Sequence, residues 1–526
     1  MRGTSGGAKR LIVPIAVIAL VAAAFVRASG AFFCAYDDFI ELRQAAFEDT
    51  REPARVFTTP HFGSFKYRPV NRGLNLLTLW AGGDRPEFFR IRNLGFHLLN
   101  VLLLYGLALH LLRSPSVAAW AACLFGVHPL ASVSVAGAVM TNTFAHAAAL
   151  AALILFLASV REVRHRRLRV GACLVAAWVS VMAYDPDIVV LGLMAAYLAL
   201  HVLARREPSI DGRLILAVSA IGAMIVGSYI LLRAHFVPHG WVKAARSVPP
   251  VGIMAKNIVM YSLSLASPID PVLANEVLNT PLPSEIRFGP MEVALAGALE
   301  VLILAALAWL VWRRARRGQI HAGHFDGVSA GFLLLAMVAP LVPVLVLMPH
   351  PSEVYLYLPV AFYLLLLVYG LHWLLDDRTS RRRRFVLRAL VLALLALFAA
   401  ATWVRNERLL RCGETADRIV AQLPRASLGE GTWKLWFANV PGEEQSRRYG
   451  CFGFRGTDTI GDGSNADDAM TAALQLRFSN DRLMGRVVDP EGFSRTCREP
   501  LAPRQMCLWV HADGRVEEWG RATGPR

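Results

Sequence analysis

Residues 141–185 read TNTFAHAAALAALILFLASVREVRHRRLRVGACLVAAWVSVMAYD. They comprise an apolar block at 141–160, an arginine-rich run from Arg161 to Arg169 and a second apolar block at 170–185. Similar blocks recur along the chain, most of them roughly 18–22 residues long, enough to carry a helix across a ~30 Å hydrocarbon core. A short, strongly basic run between two such blocks predicts a loop on the cytoplasmic side of a membrane. Working outward from 141–185, further spans are predicted at 11–26, 92–112, 116–136, 187–204, 214–234, 291–312, 327–348, 354–375 and 386–403, about eleven in all. The fold class is mainly α, a polytopic transmembrane helical bundle.

Composition agrees. The chain is 55% hydrophobic and carries a formal charge of +16, with a mean hydropathy of +0.44. A charge of that size points either to nucleic acid or to anionic lipid. The cations cluster in short loops rather than forming an aromatic-interleaved patch, so nucleic acid is excluded as a partner and membrane lipids are expected. The first block follows Arg2, Lys9 and Arg10; without a clean cleavage site it predicts a retained helix rather than a removed signal peptide.

The large Arg runs, at Arg113, 161–169, 205–213, 313–317 and 378–388, all fall on one side if the N-terminus is cytoplasmic. The predicted location is the bacterial cytoplasmic membrane. The loop 28–91, the segment 235–290 and residues 404–526 are then exported. Ile253 to Ala266, with Lys256 and Asn257 inside it, predicts an interfacial or re-entrant helix. The chain divides into a membrane domain, 1–403, and a small α/β domain, 404–526. In the latter, a helix is predicted at 406–423, a strand at 433–440, a helix at 466–478, and a hairpin of 506–511 with 515–519 around Ala512-Asp513-Gly514. Cys412, Cys451, Cys497 and Cys507 all lie there, where disulfides persist; their pairing is left open.

Candidate chemistry concentrates in the first exported loop. Asp37 and Asp38 follow the first span directly. A carboxylate pair beside a bilayer is costly unless solvated, used as a helix cap or used in chemistry. Downstream, Lys66, Arg68 and Arg72 lie in a basic-aromatic stretch on the side where cations are normally scarce, as a site for a lipid-linked phosphate would require. A base on one side and a held leaving group on the other make a transferase arrangement. Asn93, His97 and Asn100 recur on one helical face, which must meet protein or a wet cavity. Asp185, at an outer helix end before Pro186, is either a cap or a second acid.

These stretches, taken in order, resemble the C-type membrane glycosyltransferases, and within them the O-mannosyltransferase-like branch that carries tetratricopeptide tails. The matching segments are Tyr36-Asp37-Asp38, Tyr67-Arg68-Pro69, Asn93/His97/Asn100, Phe125-Gly126-Val127-His128-Pro129, Glu353-Val354-Tyr355-Leu356-Tyr357-Leu358-Pro359 and Val404-Arg405-Asn406. The chain departs from the pattern at Ala131 and Val133, at Asn142 in place of Asp, at Val354 in place of Arg, and in its non-repeat tail. The resemblance implies inverting transfer of a sugar from a polyprenyl-phosphate donor to a protein or glycan acceptor. Asp37 or Asp38 would serve as base, Asp185 as second acid, and Lys66, Arg68 and Arg72 as phosphate ligands. His97, His128, Glu353 and Tyr355 would be substrate contacts. No cofactor is required; the superfamily allows a divalent metal, but His61, His128, His350 and the acids are too scattered to predict a ligand set. The alternatives are a lipid-linked-glycan flippase, disfavoured by span centres of Leu, Ala and Val, and an inactive scaffold.

Overall fold

The computed structural model describes residues 5–33, 36–61, 66–162, 164–204, 212–237, 249–266, 327–347, 353–375, 381–423, 432–438, 466–480, 482–488, 490–498, 501–511 and 515–522. Among the described residues, seven helical segments are long and apolar enough to cross a membrane. They are Pro86–Leu112, Asn142–Arg161, Asp185–Leu203, Ile215–Phe236, Gly327–Leu345, Val354–Trp373 and Arg388–Ala421. The chain is a polytopic membrane protein.

The difference from eleven has local causes. The predicted span at 291–312 lies outside the described residues. The block at 11–26 is the helix Ser5–Phe25 up to its last residue, with Val26 opening a 3-10 turn over Val26–Gly30. The block at 170–185 is the helix Arg166–Ala183, whose first turn holds Arg166, Arg167 and Arg169. The span expected over 116–136 breaks. Its helix stops at Gly126 and a short one resumes over Ala131–Ala136, because Pro129 offers no N–H and disfavours helical backbone at His128. Ile253 to Ala266 lies within the helix Val251–Ala266.

With lipid outside, helices associate by close packing rather than by expulsion of water. Ala118, Ala121 and Ala122 of the helix Pro115–Gly126 therefore sit in the core beside Val101, Leu104 and Ala108. Gly126 meets Val21 so closely that a Cβ has no room. At one end of the bundle Arg161 donates to the His110 carbonyl and Ser329 to that of Leu111. At the other, Thr402 Oγ1 donates to Val127 O at 2.7 Å and Asn406 Nδ2 to Ala24 O at 2.8 Å. The first loop packs at this second end.

The last helix runs unbroken over Arg381–Ala421, 41 residues or about 60 Å, joining the predicted span and the predicted tail helix in one rod. It leads into a four-stranded sheet of order β2-β1-β3-β4, with β1 Lys434–Ala438, β2 Met484–Val488, β3 Gln505–Val510 and β4 Val516–Ala522. β1 is parallel to both β2 and β3, while β3 and β4 form the expected antiparallel hairpin. The predicted helix at 466–478 is present; β2 and the helix Pro490–Arg498 were not foreseen. Cys497 bonds Cys507, tying that helix to β3. The sheet's apolar core is continuous with the first loop: Leu435, Phe437, Met470, Leu474 and Met506 share one cluster with Phe33, Phe39 and Leu42.

Candidate active site

The loop helix Tyr36–Arg43 carries Asp38 and, one turn later, Glu41. Asp38 is fully buried, and the Val139 N–H donates to its Oδ1 at 3.3 Å. Side chains also hold the neighbouring backbone. Arg90 donates to Ala136 O at 2.7 Å, Asn93 to Gly137 O at 2.7 Å, Arg92 to Ala138 O at 3.0 Å and Asn75 to Val139 O at 3.1 Å. Four successive carbonyls are thus captured by side chains. Arg90 also donates to the carbonyls of Ala31 and Phe32, fixing the chain just before Asp37 and Asp38.

Glu41 is buried between His61 Nε2 and Asn75 Nδ2, both at 2.9 Å. Burial pushes its carboxyl up to about 8, against the pull of Arg68 and Lys66 and with a push from Asp38. Arg68 lies at the start of the helix Pro69–Gly82 and pairs with Asp185, its Nε donating at 2.6 Å. Its guanidinium sits 4.8 Å from the Tyr184 ring centre. Burial alone would weaken the Arg68 charge; Asp185 and Tyr184 outweigh it and raise its pKa above the ordinary value. Lys66 and Arg233 also act on Asp185. The charges of Lys66 and Arg68 therefore act on two acids, Glu41 on the loop helix and Asp185 at the helix junction.

One turn on, Arg72 has a different setting. It is sealed against Asp49 and donates to Thr59 O and Thr59 Oγ1, each at 2.7 Å. His97 is buried, with Nδ1 2.6 Å from the Tyr357 hydroxyl and Nε2 2.9 Å from Gly126 O. Asn100 donates to the same hydroxyl at 3.0 Å, so the polar stripe of this helix locks bundle helices together. His128 packs on Phe398 with ring centres 4.5 Å apart, and accepts from Leu130 N through Nδ1. Tyr355 packs beside Tyr184. The side chains of Asp37 and Glu353 lie outside the described residues. Among the described residues no group of three His, Cys, Asp or Glu side chains could hold a metal ion.

Sequence reasoning missed Glu41, His61 and the pair of His146 with Asp187, whose Nδ1 and Oδ1 are 3.0 Å apart. The spacing of Asp38 and Glu41 on one helical face was the available signal for the first. Asp187, two residues after Asp185, was the signal for the pair.

The sequence matches no known protein-family model and no curated protein. In fold it resembles the oligosaccharyltransferase of Archaeoglobus fulgidus in its apo form, with TM-score 0.50 and 12% identity over 91% of this chain and 64% of that one. The chain thus spans less than two thirds of that protein's length. It is also similar to ArnT from Cupriavidus metallidurans bound to undecaprenyl phosphate, with TM-score 0.49 and 15% identity over 99% of this chain and all of that one. A third similar structure is AglB of Archaeoglobus fulgidus in complex with an inhibitory peptide and a dolichol-phosphate, with TM-score 0.48 and 14% identity over 89% and 68% of the two chains. At such identities the first likeness carries the fold alone: this chain shares the membrane helical-bundle fold of that structure, with a small sheet domain at its C-terminus.

Proposed function

We propose that the chain is a membrane glycosyltransferase that moves a sugar from a polyprenyl-phosphate donor to an acceptor on the outer face of the cytoplasmic membrane. The observation that carries this reading is the partly exposed Arg68–Asp185 ion pair at one end of the bundle, with Lys66 near enough to act on both Asp185 and Glu41. It is supported by the solved structures of similar fold, whose names describe an oligosaccharyltransferase and proteins bound to undecaprenyl phosphate or dolichol-phosphate. The side on which the site faces follows from the arginine runs.

The reaction is a single displacement. Asp37 or Asp38 takes the proton from the acceptor hydroxyl as the new C–O bond forms at the anomeric carbon. The bond to phosphate breaks on the opposite face, inverting that carbon. Arg68 and Lys66 stabilise the departing polyprenyl phosphate, which competes with Asp185 for the Arg68 guanidinium. Asp185, freed from Arg68, is then a second acid at the reacting end. No step runs through a metal. The finer placement in the O-mannosyltransferase-like branch rests on the ordered sequence motifs.

The test is sugar transfer in membranes from wild type, Asp37→Asn and Asp38→Asn, with labelled polyprenyl-phosphate sugars and native acceptor extract. Transfer by wild type, with loss of about 10²- to 10⁴-fold in one variant at equal expression, is expected. Unchanged rates in both variants would show the pair to be a helix cap. Wild type without transfer or donor hydrolysis would favour a scaffold.

A further inference from the structure

Glu41 has no part in the displacement, yet it sits among the hydrogen bonds that hold Asp38. It follows Asp38 by one turn on the loop helix Tyr36–Arg43. Its two oxygens have different partners. Oε1 is 2.9 Å from His61 Nε2, and Oε2 accepts from Asn75 Nδ2 at 2.9 Å. Asn75 is oriented by Arg92, whose Nη1 donates to its Oδ1 at 2.8 Å. The Asn75 amide nitrogen also donates to Val139 O at 3.1 Å, and the Val139 N–H donates to Asp38 Oδ1 at 3.3 Å. One run of hydrogen bonds thus leads from Glu41 through Asn75 and Val139 to Asp38. A second leads the other way: the His61 backbone N–H donates to the Lys66 carbonyl at 3.0 Å, two residues before Arg68.

The charge on Glu41 matters at both ends. Glu41 and His61 are buried, so an ionised carboxylate here is poorly solvated. Burial pushes the carboxyl up to about 8, although Arg68, Lys66 and Arg92 favour the ionised form; Asp38 opposes it. A protonated Glu41 donates from Oε1 to His61 Nε2 and accepts from Asn75 at Oε2, which suits both partners. An ionised Glu41 sets a second negative charge near Asp38. It also draws on the field of Lys66 and Arg68, the cations proposed to hold the donor phosphate.

We propose that Glu41 is a positioning residue for the transfer reaction: as a neutral carboxylic acid it sets Asp38 through Asn75 and Val139, and it leaves the charges of Lys66 and Arg68 to the donor's phosphate. The proposal rests on the polyprenyl-phosphate reading above and takes Asp38, of the two adjacent acids, as the base. Glu41 touches neither donor nor acceptor, and its own proton is not consumed. The proton of the acceptor hydroxyl still passes to Asp38.

The test is the pH profile of sugar transfer by the purified full chain in lipid nanodiscs, normalised to folded protein, with labelled polyprenyl-phosphate sugars and native acceptor extract. Wild type, Glu41→Gln, Glu41→Ala and Asp38→Asn are compared. The kcat/KM for the donor reports groups of the free protein, and in wild type it is expected to fall above pH 8. Glutamine reproduces both hydrogen bonds of the protonated acid and cannot ionise, so Glu41→Gln is expected to lose that fall. Alanine removes both bonds and is expected to lower kcat at pH 7 about 10- to 100-fold, a loss that glutamine largely recovers. Five outcomes overturn the proposal: a wild type with no fall above pH 8, a fall that persists in Glu41→Gln, wild-type kcat in Glu41→Ala, no recovery by glutamine, or full activity in Asp38→Asn. All five leave the glycosyltransferase reading standing, since wild type still transfers. If Glu41→Ala does not fold, the profile of Glu41→Gln decides. Absence of transfer by wild type from any donor would remove that reading, and this proposal with it.

Discussion

Arg68 and Arg72 are one helical turn apart, and each pairs with an aspartate, yet their surroundings differ. Arg72 and Asp49 are 2% and 1% exposed, and the remaining donors of Arg72 are spent on Thr59 and Pro60. Arg68 and Asp185 are 11% and 23% exposed, at a junction that other charged groups approach. A sealed pair has no room for a third party; a pair at an opening can exchange one partner for a ligand. The same residue types therefore close the loop at one position and leave a replaceable ion pair at the other.

Substitution should separate the two. Arg72→Ala strands the buried Asp49 carboxylate and is expected to cost about 3–5 kcal/mol of stability, read as loss of folded protein in detergent thermal melts. Arg68→Ala is expected to lower transfer about 10²- to 10³-fold with a much smaller change in melting. If the two variants destabilise equally, or if Arg72→Ala keeps its fold and loses only transfer, the contrast between them is false. The smallest effect concerns Glu41. Its folded pKa, about 8, stands above the ordinary 4.5. Below pH 4.5 both states hold the proton and the stabilisation is complete. From there toward pH 8 the unfolded chain loses its proton first, so stability declines as pH rises. Glu41→Gln is expected to flatten that decline, measured as melting temperature from pH 5 to 8; an unchanged slope would assign it to another group.

The bundle was legible because apolar length and arginine asymmetry are local properties. Asn142–Arg161 and Val354–Trp373 begin within a residue or so of their predicted bounds. The break after Gly126 was hidden because the apolar run continues through it; only His128-Pro129 marked the turn. β2 escaped notice because Met484–Val488 is short and contains Gly485 and Arg486. The site was legible only as residue types. Whether an arginine is sealed or open depends on partners 23 and 117 residues away, and the motif Tyr67-Arg68-Pro69-Val70-Asn71-Arg72 does not encode that distinction. The carbonyl clamp at 136–139 is equally non-local, since its side chains come from Asn75, Arg90, Arg92 and Asn93.

The core shared by Phe33, Phe39 and Leu42 with Leu435, Phe437, Met470 and Met506 sets a timetable for biogenesis. The loop helix leaves the ribosome early, but the surface that covers it is encoded more than 390 residues later. At about 5–20 residues per second, roughly 20–80 seconds pass before its apolar face can be covered. During that interval Asp37 and Asp38 sit on a helix lacking its final support. The closing of this core makes the end of translation the moment at which the site can assemble, and a chain truncated within the sheet would reach the membrane without it.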